Sequence, residues 1–158
     1  MTVRPVDPGE IDPLAQLWHD CWQDAHAKLA PRGWAQARTL PSFRDRLVAA
    51  LAETRVAGPV GAPTGLCMLK NDELNQLYVA RAARGSGVAA ALIDDGEARL
   101  AERGVTTAWL ACAVGNDRAA RFYEKRGWHR AHTAVNRLET ADGVFEIDIW
   151  RYEKSVQR

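Results

Sequence analysis

The stretch from Arg84 to Ala89, which reads Arg-Gly-Ser-Gly-Val-Ala, constrains this chain more than any other. It follows a strand-like run that ends at Val79, and it opens a helix-like run that begins at Val88. Glycines just before a helix let another molecule approach the backbone, and the first helical N–H groups there lack partners in the chain. The helix dipole and the Arg84 side chain add positive charge at the same place. The pattern therefore predicts a cradle for a phosphate or pyrophosphate.

The totals of the chain limit the classes of protein it can belong to. A length of 158 residues suits one domain, so we expect residues 1–158 to form a single unit. The net charge of +1 offers no general attraction to nucleic acid or to an anionic membrane. No apolar run approaches the ~20 residues needed to span a bilayer, and the N-terminus lacks a signal-peptide pattern. We therefore expect neither nucleic acid nor membrane as a partner.

Cysteine and histidine usage points to a reducing compartment and to no metal site. The three cysteines, Cys21, Cys67 and Cys112, are odd in number and far apart, and each has apolar neighbours. This pattern is typical of reduced core thiols, which predicts a cytoplasmic protein. The four histidines show no metal-ligand spacing, so no metal is expected.

The hydrophobic pattern predicts the order β-α-α-β-β-β-α-β-α-β-β, an α/β fold whose mixed sheet has helices on both faces. A capping box at Asp7–Glu10 begins the first helix, and Gly104 and Gly127 end two later ones. The predicted strands are 3–6, 54–57, 65–70, 73–79, 106–113, 128–133 and 144–150, and Thr140 to Gly143 form the turn between the last two.

A dinucleotide-binding fold is the first alternative for the glycine stretch. Gly85 to Ala90 match the pattern G-x-G-x-x-A, which alone is a weak signal. Five residues separate the end of the strand at Val79 from Gly85, whereas a dinucleotide turn follows its strand at once. Residues 105–113 also contain no acidic residue, which is expected about 20 positions after the motif. An NAD-dependent protein is therefore disfavoured, and the absence of G-K-[ST] excludes a P-loop.

Three motifs are spread across essentially the whole chain. The first is Arg84-x-x-Gly87-x-Ala89. The second is the run from Glu73 to Val79, Glu-Leu-Asn-Gln-Leu-Tyr-Val, and the third is Asn116-x-x-Ala119-x-x-Phe122-Tyr123-x-x-x-Gly127-Trp128. In this order and spacing they resemble the acetyl-CoA motif, (Q/R)-x-x-G-x-(G/A), the central strand and the downstream motif of the GNAT superfamily of N-acetyltransferases. The chain departs from the family at Arg81, where many members carry proline; we expect only a small effect on the turn.

The resemblance implies the GNAT fold, a mixed and mostly antiparallel sheet of about six or seven strands, with acetyl-CoA as the cosubstrate. The family's central strand carries a bulge and splays from its parallel neighbour, and the pantetheine arm lies in that gap. Backbone amides from Gly85 to Ala89 would hold the pyrophosphate, with charge from Arg84 and Arg81. The residues assigned to cofactor binding are Leu77, Tyr78, Val79, Arg84, Gly85, Ser86, Gly87, Val88, Ala89, Asn116 and Tyr123.

The same resemblance implies two catalytic residues. Glu73 matches the acid that many members use as a base, although its pKa would have to be raised by burial. Tyr123 matches the general acid that would protonate the leaving thiolate. A backbone N–H of Tyr78 or Val79 would meet the thioester oxygen. Asn116 either bonds the pantetheine or caps its helix, and Cys112 is interpreted as packing.

The acceptor is less determined by the sequence. The resemblance implies a small-molecule or peptide amine, and homodimers are common in the family. The acceptor pocket would lie between the N-terminal helices and the last strands, where aromatic and acidic residues suggest a cationic amine. These candidates are Trp18, Trp22, His26, Trp34, Trp128, Trp150, Asp142, Glu146 and Asp148. A non-catalytic acyl-CoA sensor of the same fold is the alternative to an enzyme.

Overall fold

The computed structural model describes residues 2–157, which form one seven-stranded sheet in the order β1-β2-β3-β4-β5-β7-β6. Every neighbouring pair is antiparallel except β4 and β5. The strands are β1 (Val3–Pro5), β2 (Thr54–Ala57), β3 (Gly65–Lys70), β4 (Glu73–Val79), β5 (Thr107–Ala113), β6 (His129–Thr140) and β7 (Gly143–Ser155). The helices are α1 (Ile11–His26), α2 (Trp34–Ala37), α3 (Leu40–Ala49), α4 (Val88–Glu102) and α5 (Asp117–Lys125).

Each face of the sheet has its own hydrophobic core. On one face, α4 and α5 cover a cluster that includes Leu92, Leu100 and Trp128. On the other face, α1 and α3 cover a cluster that includes Trp18 and Phe43. Period-2 alternation along the strands and period-3.6 spacing along the helices produce these two layers. The predicted mixed sheet with helices on both faces is confirmed.

The predicted capping box caps a short 3-10 turn, Pro8–Glu10, which leads directly into α1, and it also fixes a buried carboxylate. Asp7 accepts from the Gly9 N–H, and Glu10 accepts from the Asp7 N–H at 2.9 Å. Glu10 is fully buried and also accepts from Arg4 at 2.6 Å and from the Gly61 N–H at 3.0 Å. The hydrogen bond from Arg4 is the main cause that lowers the pKa of Glu10 to about 2. This buried charge is therefore fully partnered.

The structure differs from the sequence prediction in two places. The four-residue helix α2 was not predicted, because four residues are too short to show helical periodicity. The final hairpin is longer than expected: β6 runs to Thr140 and β7 runs from Gly143 to Ser155. Most side chains of β6 are exposed. The strand is therefore maintained by its hydrogen-bonded ladder with β7 rather than by burial. None of the helices within residues 2–157 has the length and apolarity to cross a lipid bilayer.

Candidate active site

The glycine stretch forms an open loop at the start of α4. Gly85 and Gly87 have φ values of +78° and +87°, in the left-handed region that glycine adopts without strain. A Cβ atom on either glycine would meet nothing within 4 Å, so both backbones face open space. The first bond of the helix runs from the Ala91 N–H to the Gly87 oxygen, which leaves the earlier amides available. Ser86 donates to the Ala83 oxygen and closes the loop. This geometry fits a phosphate-binding cradle.

Arginine side chains gather beside this cradle around one carboxylate. Arg84 and Arg81 contact Asp24 of α1 at 2.9 Å and 2.8 Å, and Arg118 of α5 lies 4.0 Å from it. Three guanidinium groups and one carboxylate leave a net charge of +2 next to the loop. The hydrogen bond from Arg84 is the main cause that lowers the pKa of Asp24. Sequence reasoning missed Asp24, which is distant in the chain from the glycine stretch.

A gap separates β4 from its parallel neighbour β5. Their ladder contains a single pair, Glu73 with Trp109, supported by the Trp109 N–H bond to the Asp72 oxygen at 3.3 Å. In the ladder between β3 and β4, the pairing moves from Leu69–Leu74 to Met68–Gln76, so Asn75 is an extra residue. Such a bulge bends the strand and increases its twist. The splay and the bulge that the resemblance implies are therefore both present.

The antiparallel pairing with β3 determines which backbone groups of β4 face the gap. The Ala80 N–H bonds to the Thr64 oxygen, so Ala80 is directed toward β3. Because backbone groups alternate along a strand, Tyr78 is also directed toward β3, where it pairs with Leu66. The N–H and C=O groups of Leu77 and Val79 then point into the gap. Of the two candidates for the donor to the thioester oxygen, Val79 has the suitable direction.

Tyr123 of α5 is a half-buried side chain that packs against the same core as Leu77 and Val79 of β4 and Cys112 of β5. Its ring packs at 5.7 Å from Phe122, 6.5 Å from Trp128 and 6.2 Å from Tyr152. Its hydroxyl has no hydrogen-bond partner among residues 2–157. Burial raises the pKa of Tyr123 above its usual value, and charge at Cys112 would raise it further. The phenol is therefore neutral at pH 7 and can donate a proton.

Asn116 and Cys112 line the end of β5 in structural roles. The Asn116 side chain accepts from the Ala119 N–H at 3.4 Å and caps α5. Its amide NH₂ group remains available for a ligand, so the capping role and the binding role are compatible. Cys112 is buried, and burial raises the pKa of its thiol to about 12. A thiol with that pKa is a poor nucleophile at pH 7.

A cleft of about 830 Å³ opens on the α1 face of the sheet beneath the gap. Its floor includes Glu73 and Tyr78 of β4 and Ala111 of β5, and the β6–β7 hairpin forms one wall. Glu73 is half-buried there, and burial raises its pKa, which is the direction a catalytic base requires. The Tyr78 hydroxyl lies 3.5 Å from Nδ1 of His26, and burial lowers the pKa of His26 to about 4.

Only some of the acceptor candidates predicted from the sequence line this cleft. Trp18, Trp22, His26 and Trp34 do. Trp128 is buried in the opposite core and donates to Glu97, and Trp150 lies under Arg130 at 3.8 Å. Asp142 is in the hairpin turn, and Glu146 and Asp148 line a separate cleft of about 280 Å³. The three late acids named from the sequence therefore do not line this cleft, whose acidic lining residues are Glu53, Glu73 and Glu139.

Five basic residues that line the cleft were missed, namely Arg38, Arg46, Lys70, Arg103 and Arg137. Arg38 and Arg46 both line it, and Arg38 is only 6% exposed. Their guanidinium groups lie over aromatic rings, Arg46 at 4.5 Å from Trp18 and Arg38 at 5.9 Å from Trp34. Arg38 lies in the bend between α2 and α3, and Arg46 lies on α3. Neither belongs to a motif, so no sequence signal distinguishes them from surface arginines. Within residues 2–157, no group of three or more His, Cys, Asp or Glu side chains converges on a metal position.

Comparisons with known proteins agree with this geometry. A model described as the acetyltransferase (GNAT) family matches residues 11–128. The chain is 39% identical over 66 residues to an uncharacterized N-acetyltransferase of Mycobacterium tuberculosis, and the match spans 42% of each protein's length.

Solved structures share the whole fold. A GCN5-related N-acetyltransferase from Rhodopseudomonas palustris has a TM-score of 0.74 at 24% identity, with 98% of this chain and 94% of that chain covered. A putative acetyltransferase from Salmonella typhimurium, solved with acetyl-CoA, has a TM-score of 0.74 at 13% identity, with 100% and 95% covered. With three motifs, the splayed strands and a family match over most of its length, this chain belongs to the acetyltransferase (GNAT) family.

Proposed function

We propose that this protein transfers an acetyl group from acetyl-CoA to a primary amine by direct transfer in a ternary complex. The observation that carries the proposal is the single-pair junction between β4 and β5. The gap between these strands lies beside the glycine loop, because α4 follows the carboxyl end of β4 and α5 follows that of β5. The gap also opens onto the cleft. The arrangement joins a phosphate cradle to a pocket for a second substrate.

The chain offers a separate set of groups to each part of acetyl-CoA. The amides of Gly85 to Ala89 and the guanidinium of Arg84 would bind the pyrophosphate. Leu77 and Val79 would bond the pantetheine arm along the gap, with Asn116 near the end of β5. When bound, the cosubstrate supplies a thioester, an activated acyl group. The Val79 N–H would stabilise negative charge on the acyl oxygen.

Glu73 would take a proton from the incoming amine. A lysine-like amine has a pKa near 10.4, so at pH 7 its neutral form costs about 4.6 kcal/mol. A nearby carboxylate, acting directly or through water, reduces that cost if its own pKa is raised toward neutrality. The raised pKa of Glu73 and its position on the cleft floor support this role.

Tyr123 would return a proton to the leaving sulfur. Its phenol is neutral at pH 7 because burial raises its pKa, and its hydroxyl is unpartnered within residues 2–157. The buried thiol of Cys112 lacks the low pKa of an attacking nucleophile, which supports transfer without a covalent acyl-enzyme. The free cysteines are consistent with the proposed cytoplasmic location.

Titration calorimetry with acetyl-CoA, with free CoA and NAD for comparison, tests the cradle on wild type and on Gly87→Trp. We expect micromolar binding of acetyl-CoA that falls at least about 100-fold in the variant, because the new ring occupies the loop's open side. Gly104→Trp is the matched control: it lies at the other end of α4, with φ of +88° and similarly open surroundings. Equal loss in both variants, or no binding of any CoA species, would contradict the proposal.

The alternative is a non-catalytic sensor that binds acyl-CoA without turnover. Release of the CoA thiol, followed with a panel of amines, distinguishes the two. A sensor would bind acetyl-CoA normally and release no thiol above the uncatalysed rate with any amine. The raised pKa of Glu73 and the unpartnered Tyr123 hydroxyl favour the enzyme, because a binding module needs neither.

A further inference from the structure

We infer that the acceptor carries a carboxylate in addition to its amine, and that Arg38 and Arg46 bind this carboxylate. The acceptor would be an amino acid or an amino carboxylate of similar chemistry. The inference rests on the proposed function, because it names the substrate class of the same cleft. It replaces the cationic amine that the sequence suggested.

The first argument is an excess of unpartnered hydrogen-bond donors. Among residues 2–157, five buried side-chain nitrogen or oxygen atoms have no hydrogen-bond partner. Four of the five belong to residues that line the cleft: Nε1 of Trp18, Nε1 of Trp34, Nε of Arg38 and one terminal nitrogen of Arg46. All four are donors. Since buried polar groups are nearly always hydrogen-bonded, a cluster of donors indicates a ligand that presents acceptor oxygens.

The second argument is charge. No acidic side chain of residues 2–157 forms an ion pair with Arg38 or Arg46. The other arginines of the cleft are paired, Arg103 with Glu53 at 2.9 Å and Arg137 with Glu146 at 4.0 Å. Only 6% of the surface of Arg38 is exposed. A charged side chain that is buried to this extent is normally paired with an opposite charge. The missing anion is therefore expected from outside the chain.

The aromatic contacts of the two arginines orient them but do not neutralise them. Arg46 lies 4.5 Å from Trp18 and 5.4 Å from Phe43, which fixes the plane of its guanidinium. Burial lowers the pKa of Arg46 to about 10, and the charge of Arg38 contributes in the same direction. Arg46 therefore remains charged at pH 7. Burial also lowers the pKa of Arg38, which as a guanidinium stays charged as well. A planar fork held in this way suits bidentate binding of a carboxylate.

The arginines line the same cleft as the proposed catalytic base. The charges of Arg46 and Arg38 both act on the pKa of Tyr78, whose strand borders the gap, so the three side chains share one part of the cleft. Glu73, the proposed base, lies on the same cleft floor. A molecule with both an amine and a carboxylate can therefore satisfy the two arginines while its nitrogen faces the gap. Trp22 and Trp34, in edge contact at 4.8 Å, provide an apolar wall for its side chain.

The experiment compares matched acceptors on the wild-type protein, so it does not depend on any variant folding. Thiol release from acetyl-CoA is measured with phenylalanine, phenylalaninamide and phenethylamine, and with leucine, leucinamide and 3-methylbutylamine. We expect kcat/KM for at least one acid to exceed that of its amide and its amine by at least tenfold, because each analogue leaves the arginines unpaired. Equal or faster turnover of the amines overturns the inference. If taurine or O-phosphoethanolamine is turned over faster than the amino acids, the anionic group of the acceptor is not a carboxylate, and that part of the inference is overturned.

The variants Arg46→Met and Arg38→Met then test whether these two arginines cause the preference for the acid. Each should lower kcat/KM for the preferred acid at least tenfold and leave the amine analogue within about twofold, with partial recovery in Arg46→Lys. Arg44→Met is the matched control, because Arg44 lies on the same helix and is exposed. An unchanged acid preference in both variants overturns the assignment of these arginines.

Calorimetric binding of the amino acids to the protein saturated with free CoA gives a readout independent of turnover. If acetyl-CoA binds and an amine is acetylated but no carboxylate preference or binding appears, the inference fails and the proposed function stands. If acetyl-CoA does not bind while the amino acids still bind through Arg46, the proposed function fails.

Discussion

The glycine loop with its gap and the cleft beneath it recognise ligands by different means. The loop uses backbone amides of consecutive residues and positive charge from Arg84, Arg81 and Arg118 that Asp24 partly offsets. The cleft uses side chains drawn from α1 to β7, and four of its buried donors lack partners within residues 2–157. Backbone recognition requires glycines at fixed places and so leaves a local pattern, whereas side-chain recognition is assembled from distant residues and leaves none.

If the loop binds the cosubstrate and the cleft holds the reacting groups, Glu73→Gln should greatly reduce turnover without changing the binding of acetyl-CoA at the loop. We expect kcat to fall by about 100- to 1,000-fold because the general base is lost. The dissociation constant of acetyl-CoA should stay within about twofold. Thiol release and calorimetry on the same preparation measure the two quantities. Glu102→Gln, on the exposed end of α4, is the control and should leave both unchanged.

The pH profile sharpens the same assignment. Glu73 acts as a base only when deprotonated, and burial raises its pKa. We therefore expect kcat/KM to fall as pH decreases through a pKa that is higher than the ordinary value for a glutamate, and this limb to disappear in Glu73→Gln. A limb that persists in the variant would assign the titration to another group.

A second comparison concerns buried charges. Glu10 is fully buried and accepts bonds from Arg4, Asp7 and Gly61. In contrast, Arg38 and Arg46 each have one buried nitrogen without a hydrogen-bond partner in the described part of the chain. Glu10→Gln should lower the free energy of unfolding by about 3 kcal/mol, because it leaves Arg4 without its anion. Denaturant titration measures this loss. A change below about 1 kcal/mol would show that the network is not a stabilising feature.

The same carboxylate predicts a pH dependence of stability. The pKa of Glu10 in the folded state, about 2, is below its unfolded value. Its contribution is therefore complete above the unfolded pKa, near 4.3, and decreases as pH falls toward 2. The slope of unfolding free energy between those values should be shallower in Glu10→Gln than in wild type.

Tyr123→Phe tests the part of the chemistry that belongs to the gap. We expect kcat to fall by about 10- to 100-fold, since the leaving sulfur loses its proton donor. Tyr152→Phe is the matched control, because its ring packs against Tyr123 but its hydroxyl already binds Glu124 and Arg130. Similar losses in both variants would indicate a packing effect rather than proton transfer. The readout is thiol release at saturating substrate.

The smallest expected effect is on stability at the cleft. Arg46→Met should raise the free energy of unfolding by about 1 kcal/mol, because it removes an unpaired buried charge and keeps the volume. Thermal unfolding of the ligand-free protein measures the change, with Arg44→Met as the control. Destabilisation by Arg46→Met would mean that its contact with Trp18 outweighs the cost of the charge.

These contrasts explain how much could be predicted from the sequence. The order of strands and helices followed from periodicity, and the loop followed from Gly85 and Gly87. Asp24, Arg38 and Arg46 were missed, because nothing near them in the chain signals that folding brings them to a site. The hairpin beyond Thr133 was underestimated because its exposed residues lack an apolar pattern. Trp128 was wrongly assigned to the acceptor pocket, because the face of the sheet on which a residue lies depends on strand register and cannot be read from composition.

The junction at Glu73 and Trp109 has a mechanical consequence. The sheet consists of a four-stranded plate, β1 to β4, and a three-stranded plate, β5 to β7, joined edge to edge by one pair. A ligand lying in the gap would act as an eighth strand that fastens the plates together. Cosubstrate should therefore slow hydrogen exchange at the Leu77 and Val79 amides and make unfolding of the two plates more cooperative. If the chain is cut between α4 and β5, we expect CoA to tighten the reassociation of the two fragments.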